Sequence, residues 1–306
     1  DTNVEKVMEV TLGATPDQGG TRSQTITIGG SNCLPLHFFE GNHSFRPIVA
    51  MEVFDKKPAK YPDSLLEYYS GVIEKPGDMA KKCVEEYGAE LISIRLEGTH
   101  PEKGNKSVEE AAETVKQVLE SVSVPLIITG HSHFEKINEV MKKICEVTAG
   151  ENCLINFVET ANYKTIAATC IAYQHTLVAQ TPIDVNLAKQ LNILLTGISF
   201  PFDKIVMDPL TGTLGYGLEY TYSVMERIRT SGLAGDKMLT SPMIGNSGYE
   251  SFGAKEARAP EEDYPDWGNL ELRGAFWETA TAMSLLMAGA ELLIMYHPKA
   301  AETVKK

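Results

Sequence analysis

From residue 48 onward the sequence repeats one unit eight times: a short apolar run, then an amphipathic stretch long enough to form a helix. The runs are Ile48 to Phe54, Leu91 to Leu96, Pro125 to Thr129, Cys153 to Val158, Thr176 to Gln180, Lys204 to Met207, Lys237 to Met243 and Leu292 to Tyr296. Continuous Val, Ile and Leu suits strands covered on both faces, and strand–helix alternation is the pattern of a parallel sheet with crossover helices. Eight such units in 306 residues predict a closed (β/α)8 TIM barrel, an α/β fold that runs to this length as one domain.

Local signals support the units. Ser107 with Glu110, Ser132 with Glu135 and Thr181 with Asp184 each place a hydroxyl three residues before a carboxylate, a spacing that satisfies free N–H groups at a helix start. Val108, Ala111, Val115, Val118 and Val122 follow the first of these at helical spacing. Gly88, Gly150 and Gly289 stand where left-handed residues end helices. Residues 1–46 differ: Val7 to Leu12 and Thr25 to Ile28 alternate apolar and polar side chains about a Gly-rich link. That predicts an antiparallel hairpin extension packed on the barrel, whose own span is 47–306, and closing its bottom. The stretch from Ile244 to Asn269 is long, rich in Gly, Pro and charge, and without period, so it reads as a functional loop.

Composition excludes several roles. A formal charge of −13 and no cluster of Lys or Arg exclude nucleic acid as a partner. The longest apolar run, Ala280 to Ala290, is broken by Thr281, Ser284 and Gly289 and reads as a buried helix, so a cytoplasmic chain with no membrane contact is expected. Cys33, Cys83, Cys145, Cys153 and Cys170 have no metal-binding spacing and read as reduced core residues.

Ligands of such barrels bind at the carboxyl ends of the strands. The loops there carry Arg95, Glu97 and Gly98; Gly130 to His133; Glu159, Thr160 and Asn162; Gln180 and Thr181; Asp208 with Thr211 to Tyr220; Ser241 to Asn246; and His297. His131 and His133 form the H-x-H of some zinc hydrolases, but such a site needs further imidazoles and a carboxylate, and His175 precedes its strand, leaving His297 and Asp208. Glu97 and Asp208 suit general acid–base work or plain helix capping. No nucleophile elbow is present, so no catalytic residue is assigned. The segment Asp208 to Gly217 stands out: its glycines allow close backbone approach to a ligand or serve a tight turn, and no Lys-Ser/Thr follows to make a P-loop.

Several segments together resemble one family. They are Leu12 to Ser23 (LGATPDQGGTRS), Leu34 to Gly41 (LPLHFFEG), Asp208 to Tyr220, Tyr222 to Arg229, and Gly235 to Lys237 followed by Leu239. They are similar to the small subunit of the corrinoid/iron-sulfur protein of the acetyl-CoA (Wood-Ljungdahl) pathway, also called the delta subunit of acetyl-CoA decarbonylase/synthase. The resemblance implies a heterodimer with a large subunit that carries a 4Fe–4S cluster and a cobalamin. The complex takes a methyl group from methyltetrahydrofolate through a separate methyltransferase and delivers it to acetyl-CoA synthase. It also implies that this barrel's mouth helps enclose the corrinoid. No D-x-H-x-x-G cobalamin motif and no cluster-binding cysteines occur here, which agrees with cofactors held by the partner. Loop position then makes Gly212, Gly215, Tyr216, Gly217, Gly245 and Asn246 the expected neighbours of the macrocycle, with no metal site in this chain. Two rival readings remain open: a pterin-binding methyltransferase, which needs Asp or Asn at several strand ends, and a metal-dependent hydrolase built on His131 and His133.

Overall fold

The computed structural model describes residues 5–58 and 61–306. Eight parallel strands close into a barrel: β3 (Ile48–Phe54), β4 (Ile92–Arg95), β5 (Leu126–Thr129), β6 (Leu154–Val158), β7 (Thr176–Gln180), β8 (Ile205–Asp208), β9 (Met243–Gly245) and β10 (Ala290–Met295), with β10 returning to β3. Ahead of them β1 (Val10–Leu12) and β2 (Ile26–Ile28) pair antiparallel.

Strand alternation sorts the buried side chains into two layers. One set, including Val49, Met51, Val53, Ile92 and Ile94, packs outward against the helices. The other set, including Ile48, Ala50, Leu91, Ile127, Leu154, Val178, Val206, Ile244 and Leu292, fills the lower barrel. Val10, Leu12, Ile26 and Ile28 of the hairpin join that inner cluster, so the hairpin plugs the bottom. Arg22, in the link between β1 and β2, fastens the plug: its guanidinium donates to Glu151 Oε2 at 3.0 Å and to the carbonyls of Leu119, Val122 and Val124.

The outer helices are α2 (Pro76–Glu85), α3 (Val108–Ser121), α4 (Phe134–Val147), α5 (Tyr163–Tyr173), α6 (Val185–Gly197), α7 (Leu218–Leu233), α9 (Leu270–Ala288) and α10 (Pro298–Lys305), with short α1 (Asp63–Leu66) and α8 (Ser247–Gly253) on loops. Ser107 and Glu110 do form the capping box of α3. The other two starts differ. His133, not Ser132, caps α4, and Asp184 itself, not Thr181, caps α6 by accepting from Asn186 N and Leu187 N. In both cases the residue nearer the first turn has an acceptor atom of its own and displaces the hydroxyl.

The seventh run is also corrected. Lys237–Leu239 is a 3-10 turn, nucleated by Asp236 accepting from Met238 N, and the strand begins only at Met243, after Pro242, which has no N–H for a ladder bond. The presumed loop after it contains α8, and the apolar run Ala280 to Ala290 is only half buried, since Met283 and Met287 are exposed. No helix among the described residues is long and apolar enough to cross a membrane.

Candidate functional site

One pleat above the apolar plug, the inward position of nearly every strand turns polar. Ala50 is followed two residues on by Glu52, Leu91 by Ser93 and then Arg95, Ile127 by Thr129, Leu154 by Asn156, Val178 by Gln180, Val206 by Asp208 and Ile244 by Asn246. All eight polar side chains are buried at the carboxyl end of the barrel. Five of them, Arg95, Thr129, Asn156, Gln180 and Asn246, line a mouth cavity of about 350 Å³ together with Glu97, His131, Thr211, Tyr249 and Glu250.

Two hydrogen-bonded networks organise this floor. In the first, Glu52 accepts from Ser93 Oγ and from Arg95 Nε, each at 2.8 Å, and Asn156 Nδ2 donates to Thr129 Oγ1 at 3.3 Å beside them. Arg95 also lies 4.2 Å from the centroid of the Tyr249 ring, so its guanidinium is sandwiched between carboxylate and aromatic face. In the second, Asp208 Oδ2 accepts from Gln180 Nε2 at 3.0 Å and Asn246 Nδ2 at 2.8 Å, while Oδ1 accepts from Leu210 N at 2.9 Å.

The consequence is a directed polarity. Each amide side chain spends its NH2 on the floor, so Asn156 Oδ1, Gln180 Oε1 and Asn246 Oδ1 are left buried with no donor among the described residues. Orphaned buried acceptors are rare and call for a partner. Three amide carbonyls in one cavity, beside a guanidinium, suit a ligand that offers N–H groups and a carbonyl.

The mouth also titrates near neutrality. Burial lifts the Asp208 carboxyl to about 6 against the bonds from Gln180, Leu210 and Asn246 that favour its charge. Burial, reinforced by the charge on Asp208, lifts Glu250 to about 7.

Of the expected corrinoid neighbours, Asn246 lines the cavity. Gly215 (φ +72°) and Tyr216 sit on the rim, where Gly215 has open space around it and the Tyr216 hydroxyl donates to Glu256 Oε2. Gly212 and Gly217 shape the turn: the Gly212 N–H donates to Thr221 Oγ1, and a Cβ on Gly212 would lie 2.5 Å from the Gly217 backbone. Gly245 faces the helix layer, where a Cβ would lie 2.7 Å from Leu285 Cδ1.

The histidines fall differently from the hydrolase expectation. His131 and His133 are joined by His100, with ring centroids 5.0 to 6.4 Å apart, while His297 packs against Tyr68 and Phe252. His175 is at the barrel bottom, bonded to Cys145 O and Cys153 N. Burial, helped by His100 and His133, pushes His131 down to about 4, and the Nδ1 atoms of all three clustered rings accept backbone N–H bonds. Among the described residues no group of three or more His, Cys, Asp or Glu has the geometry to hold a metal ion. The five cysteines are free and buried.

Residues 9–296 match the family model described as CO dehydrogenase/acetyl-CoA synthase delta subunit. The chain belongs to that family. Relatives of this delta-subunit chain include the acetyl-CoA decarbonylase/synthase complex subunit delta of Archaeoglobus fulgidus, 38% identical over 98% of the chain and 67% of the relative's length. Subunit delta 1 of Methanosarcina thermophila is also 38% identical, over 98% of the chain and 70% of its own length. Solved structures of like fold include dihydropteroate synthases from Xanthomonas albilineans (TM-score 0.57, 15% identity, 87% of this chain and 93% of that one) and Coxiella burnetii (TM-score 0.56, 14% identity, 89% and 96%). These show that this delta-subunit chain shares its barrel fold with those structures.

Sequence reasoning missed Ser93 and Thr129 and set aside Glu52 and Asn156, the latter for lying within its strand, because it searched the loops beyond the strands. The signal was present as polar residues at period two inside runs that are otherwise buried.

Proposed function

We propose that this chain is the small subunit of a heterodimeric corrinoid/iron-sulfur methyl carrier, and that its mouth caps the corrinoid held by the large subunit. In this reading the 4Fe–4S cluster also belongs to the partner, and the methyl group passes from methyltetrahydrofolate, by way of a separate methyltransferase, to acetyl-CoA synthase. The observation that carries the reading is the trio of orphaned amide oxygens on Asn156, Gln180 and Asn246. A corrin ring is edged with primary amides, whose N–H groups are what these acceptors lack, and whose carbonyls suit the Arg95 guanidinium. The cobalt, when bound, supplies the methyl-carrying centre. This chain's residues supply the surroundings: the mouth acceptors orient the macrocycle edge, and the rim at Gly215 and Tyr216 excludes water from it. This role requires no nucleophile of the chain.

A second reading is favoured by size. A cavity of about 350 Å³ admits a bicyclic heterocycle whole but only the edge of a corrin, and ring N–H and amino groups of a pterin would satisfy the same three oxygens. Asn156 lies within its strand yet points into the mouth, which supplies an amide that this reading needs.

Two measurements divide the readings. Co-expression with the large subunit should give a co-purifying complex whose visible corrinoid spectrum differs from that of the large subunit alone; failure of both would reject the cap. Calorimetric titration of the isolated chain with methyltetrahydrofolate should give no saturable heat if the mouth serves the corrinoid, whereas stoichiometric uptake would select the pterin.

A further inference from the structure

The outer face of α9 is apolar in a way that folding does not explain. Leu272, Phe276, Met283 and Met287 are 51%, 67%, 43% and 48% exposed and, with Ala280, form one stripe at helical spacing. The three charged residues of this helix do not interrupt it: Arg273 and Glu278 are buried, and Glu271 is engaged by Lys299 and Tyr68. A helix that is apolar on both faces is one that is covered.

Grooves extend the stripe at both ends. The upper one, of about 460 Å³, runs between Trp267, Phe276, Trp277 and Leu214, the last contributed by the Gly-rich rim loop. Trp277 keeps its indole N–H buried there with no acceptor among the described residues. The lower one, of about 490 Å³, lies between Met283, Met287 and the N-terminal segment at Leu36 and Phe38, themselves 62% and 68% exposed. The stripe and these flanking side chains together present on the order of 700 Å² of apolar surface, given what side chains of this size expose. A stable interface needs about 800 Å² per partner.

We infer that the outer face of α9 is the surface on which the large subunit docks, through an uncharged apolar face bordered by basic side chains. This rests on the heterodimer reading above and adds the place of contact. Charge selects the occupant: the stripe carries none, but its upper end is bordered by exposed Glu261, Glu262, Asp263 and Asp266. A basic edge on the partner complements that loop, and a chain at −13 resists pairing with a second copy of itself. Because Leu214 belongs to both groove and rim loop, a subunit seated on upper α9 lies directly beside the mouth.

The test uses the purified large subunit as probe, with complex formation followed by light scattering after gel filtration. Phe276→Glu and Met283→Glu should each weaken association by at least about 30-fold, as loss of a central apolar anchor does. Ile193→Glu on the exposed face of α6 should leave it unchanged, and Glu262→Lys with Asp263→Lys should weaken it and reduce its salt dependence. Thermal unfolding of each variant monitors the fold, and the milder Leu272→Ser replaces any variant that loses it. A wild-type complex that all these variants form equally well would overturn the α9 assignment while leaving the heterodimer intact. No wild-type complex at all would overturn both. A homodimer broken by Phe276→Glu would reassign the face to a second copy and likewise overturn the inference.

Discussion

Asp208→Asn is the perturbation that most sharply probes the mouth. The carboxylate accepts two side-chain N–H bonds on Oδ2 and one backbone N–H on Oδ1, yet burial raises it from its ordinary 3.8 to about 6. The folded state therefore binds a proton that the unfolded state has released over the window between those values. Stability associated with this group is fully present below about 3.8 and is lost as pH rises through about 6, the sign for a carboxyl raised by folding. With each tenfold change in proton affinity worth 1.36 kcal/mol, the wild type should lose about 2 kcal/mol between pH 4.5 and 7.5 through this residue. Asparagine removes that slope. It also forces Gln180 and Asn246 to turn their carbonyls inward to meet the new NH2, which converts two mouth acceptors into donors. Urea unfolding at a series of pH values, wild type against variant, reads the difference directly: Glu278, lifted by burial to about 8, contributes equally to both, and loss of the Asp208 charge that helps raise Glu250 flattens the variant's slope further in the same direction. A variant whose stability relative to wild type falls as pH rises would refute the assignment, because it would mean that the carboxylate is held by its bonds more strongly than burial opposes it.

Other substitutions test how the barrel is built. Gly245→Val drives a side chain into Leu285 and Leu293 and should cost about 1–3 kcal/mol by overpacking, measured by denaturant midpoint, without altering the corrinoid spectrum of the complex. Arg22→Met leaves Glu151 buried without its cation and three carbonyls without their donor, so the hairpin plug should loosen at a cost of about 3–5 kcal/mol, visible as faster amide exchange in β1 and β2. Protein purified without chelator should carry substoichiometric zinc by elemental analysis, since the imidazoles of His100, His131 and His133 accept backbone bonds where a ligand atom would be needed.

The architecture was legible because its signal is redundant. Eight apolar runs separated by helical periods admit few arrangements, and one misplaced strand, Lys237 to Met243, did not disturb the count. That error came from local chemistry: Asp236 caps a turn with apolar residues on it, and periodicity over so few positions cannot separate turn from strand. The site was less legible. Asn246 and Asp208 were visible as polar residues at strand ends, but Glu52, Ser93 and Asn156 sit inside strands, and only the inward phase fixed by closure shows that they face the mouth. His100 joins His131 and His133 through the 3-10 turn at Glu97–Thr99, a contact that spacing does not announce. The rim glycines looked alike in sequence and differ in space, since Gly245 is held by Leu285 and Gly215 by nothing beyond its own φ.

In the proposed complex the polar mouth meets the partner's corrinoid. The most direct measurement is the visible difference spectrum of cofactor-loaded large subunit on titration with this chain. The wild type should shift the corrinoid bands with an endpoint at equal stoichiometry, and the Asp208→Asn chain should form the same complex with a smaller shift. An equimolar complex whose corrinoid spectrum is unchanged by either chain would contradict it.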